Sequence, residues 1–384
     1  MTDFYLTRRH ALTTVAAATA AWALPGRAQT AGGSLAVGIV RPYTGPLKGV
    51  AAGYVEALKA LFDSVNAQGG INGSKLELIE KDDEGVPANT EKQVRALGDD
   101  PRLLAVLGIA GTGNILAAYP VLEATRLPLI GPFSGSPALR EAKYRQIFHV
   151  RASYEGELEE IANNISDRAP KGKVVVLYQD DTFGAGSFAV LTARMSIKAP
   201  GVVLSGYKFD RNTGAFLDAA TAQAALHQAD AVVFVGAPKS VGMLLKSVRA
   251  DNSRATAYTL SVVDALGLVK DVGAPVAHGL LITQVMPNPR KSSFKLVRDY
   301  RALMEATKQS MSYAGLEGYL TGRVLLDVLG RIKTAPTRDK VYAMLEDGSR
   351  MDLGGLTVSF SRKSHEGAKF VDLSMVSSTG SIID

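Results

Sequence analysis

The chain has 384 residues, 46% of them hydrophobic and 21% charged, which is long for one domain, comfortable for two, and too rich in apolar residues for a disordered protein. Its formal charge of +6 is spread singly among Asp and Glu, without the basic stripe and interleaved aromatics that nucleic-acid binding calls for. There is no cysteine, which excludes disulfides, thiolate metal sites and cysteine nucleophiles.

The first segment reads MTDFYLTRRHALTTVAAATAAWALPGRAQT. Arg8 and Arg9 precede an apolar run from Ala11 to Leu24, and Pro25, Gly26 and a small-residue site ending at Ala28 follow, the order of an export signal over residues 1–28. The apolar run of about 14 residues is too short for a membrane span, which needs roughly 20. The string TRRHAL resembles a twin-arginine signal, with Ala11 where that motif often has Phe; Sec export is the alternative. Cleavage after Ala28 would remove Arg8, Arg9, Arg27 and Asp3 and leave a charge of about +4. A freely soluble protein in a bacterial periplasm is therefore expected.

Beyond the signal, short β-branched strands alternate with longer amphipathic helices. SLAVGIV (34–40) reads as a strand, 51–67 as a helix ending at the glycine turn 69–73, KLELIEKDD (75–83) as a strand and Asn89 to Leu97 as a helix. LLAVLG (103–108), a helix from Asn114 to Ala124 and LPLIGPF (127–133) continue the rhythm, which implies a parallel sheet. After a strand-like QIFHVRASY (146–154) the pattern restarts: KVVVLYQDD (173–181), a helix from Phe183, VVLSGYKF (202–209), a helix from Thr213, DAVVFVG (230–236), a helix from Lys239 and ATAYTLS (255–261). GLLITQVMPNP (279–289) leads into helical stretches over 292–308 and 314–332, then a short strand-rich tail ending in KFVDLSMV (369–376). The fold class is α/β, with two doubly wound lobes. A chain that returns to its first lobe after finishing its second needs more than one crossover, which makes a hinge.

The turn in VLGIAGTGNIL (106–116) is the sharpest local signal. Gly108, Gly111 and Gly113 follow a strand and precede a helix, so the free amides of the helix's first turn would face the crevice and favour an anion. A dinucleotide predicts G-x-G-x-x-G spacing and an acidic residue about 20 positions on. Here the spacing is G-x-x-G-x-G and the next strand ends in Gly131-Pro132-Phe133. A carboxylate needs only two or three amides and a hydroxyl, which Gly111, Thr112 and their neighbours supply. A plain tight turn is the alternative.

The runs TGPL (44–47), VNAQGGINGSKLELIEKDDEG (65–85), RLPLIGPFSGSPALR (126–140), VVVLYQDDTFGAGS (174–187) and HGLLITQVMP (278–287) resemble the leucine/isoleucine/valine-binding type of periplasmic solute-binding protein, which feeds ABC importers. The resemblance spans nearly the whole mature chain. It implies the type I periplasmic binding protein fold, two Rossmann-like lobes joined by three hinge crossovers. These are expected near Val150 to Ser153, Gln284 to Pro287 and Phe370, with 29–151 plus 287–368 in lobe I and 152–286 plus 369–384 in lobe II. It places Thr112 on the ligand's carboxylate, Ser134 and Gly135 in the second ligand loop, and Tyr43 and Thr44 at the cleft edge. Ser134 as a helix cap and Tyr43 as lobe packing are the alternatives. Phe183 takes the place of the family's aromatic after the LYQDD strand, or else staples the helix that follows. Gly85 and Gly111 stand where some relatives pair cysteines.

The chain departs from the amino-acid-binding pattern in two places. Ala237-Pro238 replaces a second aromatic, and Ser261-Val262-Val263 replaces the acid that pairs an α-ammonium, with Asp264 nearby but displaced. A buried ammonium without a counter-ion is costly, so either Asp264 reaches in or the ligand lacks the amine. Ligand-binding residues are therefore expected at Tyr43, Thr44, Gly111, Thr112, Ser134, Gly135, Phe183, Ser261 and Asp264. The histidines are dispersed, so no metal site is expected, and no cofactor; Asp82-Asp83 and Asp180-Asp181 read as caps. No G-x-S-x-G elbow appears. The expected protein is a monomeric transport receptor for a small amino acid or organic acid, partnered by ABC permease subunits. A ligand sensor of the same fold and a nucleotide-dependent enzyme are the competing functions.

Overall fold

The computed structural model describes residues 33–44, 52–216, 218–251, 254–291 and 293–383. The export segment lies outside the described residues. The first series runs β1 (Leu35–Arg41), α1 (Ala52–Ala67), β2 (Leu76–Asp82), α2 (Pro87–Gly98), β3 (Leu103–Leu107), α3 (Thr112–Ala124), β4 (Leu129–Ile130) and β5 (Ile147–Phe148). These strands form a parallel sheet in the order β2-β1-β3-β4-β5. All of β3, LLAVL, is buried, as befits a strand covered by helices on both faces.

The second series runs α4 (Tyr154–Arg168), β6 (Lys173–Gln179), α5 (Thr182–Lys198), β7 (Val203–Phe209), α6 (Ala219–Leu226), β8 (Ala231–Val235), α7 (Pro238–Asp251), β9 (Thr256–Thr259), α8 (Ala265–Val272), α9 (Ala274–Ala277) and β10 (Leu280–Gln284). The chain then returns to the first sheet with α10 (Lys295–Ala306), α11 (Tyr313–Arg331), α12 (Arg338–Leu345) and the hairpin β11 (Asp347–Asp352) and β12 (Thr357–Ser361). Apolar residues of α1, α10, α11 and α12 share one core with β1 and β3. Finally β13 (Asp372–Val376) and β14 (Ile382–Ile383) complete the second sheet, β14-β13-β10-β9-β8-β6-β7, with β13 antiparallel to β10. The chain thus passes between the sheets after β5, after β10 and after β12.

Polar residues at helix starts carry much of this punctuation. Ser153, Asp181, Asp218, Asp264, Ser312 and Thr337 each accept a bond from the backbone N–H three residues on, satisfying an amide the helix cannot. The expected helix from Thr213 starts instead at Ala219, because the Asp210 carboxylate ties the amides of Asn212 and Thr213 into a turn at 3.0 and 2.8 Å. The strand-like 146–154 shrinks to Ile147–Phe148; beyond it the His149 amide donates to the His365 carbonyl at 2.8 Å and the chain leaves the sheet.

α1 and α11 cross closely because α11 carries glycine at the contact. A Cβ on Gly318 would stand 2.2 Å from the Tyr54 carbonyl oxygen. Gly318→Ala should therefore destabilise the protein by about 1–3 kcal/mol through overpacking, against the roughly 1 kcal/mol that alanine gains in a helix. A urea midpoint equal to or above that of the wild type would show that the helices can part without cost.

Candidate ligand site

Strand order reverses between β1 and β3 in one sheet and between β6 and β8 in the other. At such a point the loops beyond the strand ends part and leave a crevice. Here the two crevices meet at one small cavity of about 80 Å³. The first sheet contributes Pro42 after β1, Ala110 to Asn114 after β3 and Phe133 after β4; the second contributes Gln179 at the end of β6, Asp181 and Phe183 beyond it, Arg211 after β7, and Gly236 to Pro238 after β8. Phe133, Ala237, Pro238 and Val262 also wall a larger cavity of about 620 Å³.

The glycine turn builds the cradle. Gly111 has φ +94°, a conformation that favours glycine, and leads into α3, which has no side-chain cap. The amides of Thr112, Gly113 and Asn114 head that helix, where an α-helix has no carbonyl to offer them. The Thr112 hydroxyl is buried, 2.9 Å from the Ser134 hydroxyl, and Ser134 also accepts the Ser136 amide at 3.3 Å. The Gly135 carbonyl accepts the Tyr154 amide at 2.7 Å, so the second ligand loop is tied to the start of α4. Burial pushes the Tyr154 phenol up to about 12, against the pull of Arg151, and it remains protonated. Phe183 sits in the first turn of α5 with its ring 4.9 Å from that of Tyr154. It lines the cavity and packs into the second sheet's core at once.

The remaining expected residues separate into two groups. Tyr43 and Thr44 turn away from both cavities: the Tyr43 hydroxyl donates to Glu80, its amide to Asp82 at 2.9 Å, and the Thr44 hydroxyl to Asp82 at 2.6 Å. Among the described residues of that loop Pro42 lines the small cavity, and Tyr43 and Thr44 serve the edge of β2. Ser261 and Asp264 line the larger cavity, with Asp264 exposed and capping α8 through the Gly267 amide at 2.9 Å. Asp181 caps α5, as the paired acids led us to expect. Gly85 and Gly111 both line the small cavity.

Sequence reasoning passed over a buried ionic cluster beneath this floor. Arg151, on the first passage between sheets, is fully buried and reaches Glu157 of α4 at 3.3 Å and Glu317 of α11 at 3.7 Å. Glu157 also accepts the Ser261 amide at 2.9 Å, the Ser261 hydroxyl at 3.0 Å and the Thr283 hydroxyl at 2.6 Å. The guanidinium lies 5.1 Å from the Phe133 ring centre and 5.8 Å from that of Tyr154, so two cavity residues rest on it. Burial pulls Arg151 down, but Glu317 and Glu157 together outweigh it and the net direction is up. An arginine inside the apolar run FHVRASY was the available signal.

Among the described residues no group of three His, Asp or Glu is placed to hold a metal, and no helix is long and apolar enough to cross a membrane. A family model described as "Periplasmic binding protein" matches residues 34–381. The "Leu/Ile/Val-binding protein BraC3" of Rhizobium johnstonii is 21% identical over 324 residues, 83% of this chain and 84% of that protein. The "Amino acid binding protein" of Pseudomonas aeruginosa is 25% identical over 150 residues, 39% of this chain and 40% of its own length, so the chain spans less than half of that relative. A solved structure described as a "possible leucine/isoleucine/valine-binding protein" from Rhodopirellula baltica superposes with TM-score 0.83 and 26% identity, covering 92% of this chain and 96% of the other. The family is one of solute-binding proteins rather than enzymes. With its two switch points meeting at one small cavity and the family model matching from β1 through β13, this chain belongs to the type I periplasmic binding proteins of the leucine/isoleucine/valine-binding family.

Proposed function

We propose that this protein is the exported receptor of an ABC importer, taking up a small carboxylate-bearing solute, an amino acid or an organic acid, between two lobes and presenting it to a membrane permease. The lobes are 29–151 with 287–368 and 152–286 with 369–384, and the signal is cleaved near Ala28. The observation that carries the reading is the small cavity bordered by both switch points: a solute seated there touches both sheets only when they are together, so binding favours the closed form. Relatives named for leucine, isoleucine and valine binding point the same way. The protein acts as a monomer and without catalysis.

Thr112→Ala tests the cradle. Removing a hydroxyl that bonds a buried carboxylate should weaken binding by about 1–3 kcal/mol. Calorimetry with leucine and with 4-methyl-2-oxopentanoate on both proteins reads this directly. If the variant binds every carboxylate as well as the wild type does, the carboxylate lies elsewhere.

A further inference from the structure

We propose that the site takes an organic carboxylate bearing no α-ammonium group in preference to an amino acid, an inference that rests on the carboxylate reading above. An amino acid brings a cation into the crevice beside its carboxylate, and a desolvated cation needs a counter-charge that is not already committed.

Among the described residues one carboxylate lines the small cavity, and it is engaged. Asp181 caps α5 through the Gly184 amide at 3.0 Å, accepts Gln179 Nε2 at 2.5 Å and faces Arg211 Nη1 at 3.7 Å. Asp83 lies behind the cradle and is fully buried, holding the Gly85 amide at 2.9 Å, the Thr90 hydroxyl at 2.7 Å and Asn114 Nδ2 at 3.4 Å. At the position after β9 the chain has Ser261, and its amide and hydroxyl hold Glu157, which Arg151 pairs from below. Asp264 points its carboxylate at the start of α8 and is exposed where it lines the larger cavity. Residues 45–51, GPLKGVA, carry Lys48 and no acid.

The opposite charge is available. The first turn of α3 borders the small cavity and suits an anion, and Arg211, which also lines it, already faces Asp181. Phe133, Phe183, Ala237, Pro238 and Val262 offer an apolar wall leading towards the larger space. The arrangement selects a carboxylate on a nonpolar body.

Two matched sets of compounds test this by calorimetry at pH 7 on the mature protein: L-leucine, 4-methyl-2-oxopentanoate, 4-methylpentanoate and 4-methylpentanamide, and the corresponding phenyl series from L-phenylalanine to 3-phenylpropanamide. In at least one series the amine-free acids should bind at least about tenfold more tightly than the amino acid, and the amide should bind more weakly than its acid. An amino acid that binds as tightly as its deaminated partners, or more so, overturns this inference and leaves the carboxylate reading standing. Amides that bind as well as the acids, or failure of every carboxylate in both series, overturn the carboxylate reading itself. Native mass spectrometry of the protein as purified gives an independent readout: a retained solute with the mass of an amino acid contradicts the inference.

Discussion

Replacing Arg151 with methionine should cost about 3–5 kcal/mol of stability at pH 8, because it leaves buried carboxylates without their cation. Glu157 and Glu317 are both almost wholly inaccessible, so solvent cannot take over from the guanidinium. Glu157 carries most of the loss: its partners Ser261 and Thr283 are neutral donors, which hold a carboxylate in place without balancing its charge. Arg151→Met combined with Glu157→Gln and Glu317→Gln should recover much of the deficit, since a neutral buried cluster lacks the charge that the single change strands. Urea unfolding of the three proteins at pH 8 decides the matter. A single variant as stable as the wild type would mean that the cluster is solvated in solution.

Glu317→Gln should change how stability depends on pH. Burial pushes the Glu317 carboxyl up to about 7, with Arg151 opposing and Glu157 adding to the shift. In the unfolded chain the group titrates near its ordinary value of 4.5. Between those two values the folded protein holds a proton that the unfolded chain has released, so this residue makes stability fall as pH rises from 4.5 to about 7 and leaves it level beyond. Glutamine cannot titrate. The variant should lose that decline and, at pH 8, gain on the order of 1–3 kcal/mol relative to the wild type. Parallel stability curves for the two proteins from pH 4.5 to pH 8 would refute the assignment.

The layered architecture was readable because its signals are local. KVVVLYQ and LLAVL are apolar runs of strand length, the helices between them have apolar residues at helical spacing, and glycine or a capping acid marks most joints. Thr112 and Phe183 line the small cavity, and each sits one short turn beyond a strand recognisable in the same way. Tyr43 and Thr44 line neither cavity, since sequence shows which loop a residue occupies and not which way its side chain turns; Asp82, on the neighbouring strand, holds both. The Arg151 cluster was out of reach for another reason. Its members come from the first passage between sheets, α4, the end of β9, β10 and α11, and the Thr283 to Glu157 bond alone joins residues 126 apart. Nothing local announces such a meeting. The missed helix α4 is different: Leu158, Ile161, Ala162 and Ile165 have helical spacing, and reading the preceding residues as a strand through Tyr154 obscured its start.

The antiparallel strand β13 gives the second sheet an unusual order of assembly. Its Ser374 meets Gln284 of β10 across 90 residues of chain, all of which first build α10, α11, α12 and a hairpin on the other sheet. Until that excursion is finished, β10 presents a bare hydrogen-bonding edge to solvent, the surface on which stray strands add and chains associate. Such long-range closure is slow, because the entropy of the loop is lost before any pairing is gained. A chain of this protein that has not yet placed β13 has its second sheet open along the β10 side, the condition in which holding by a chaperone, or dilution, would matter most to its yield.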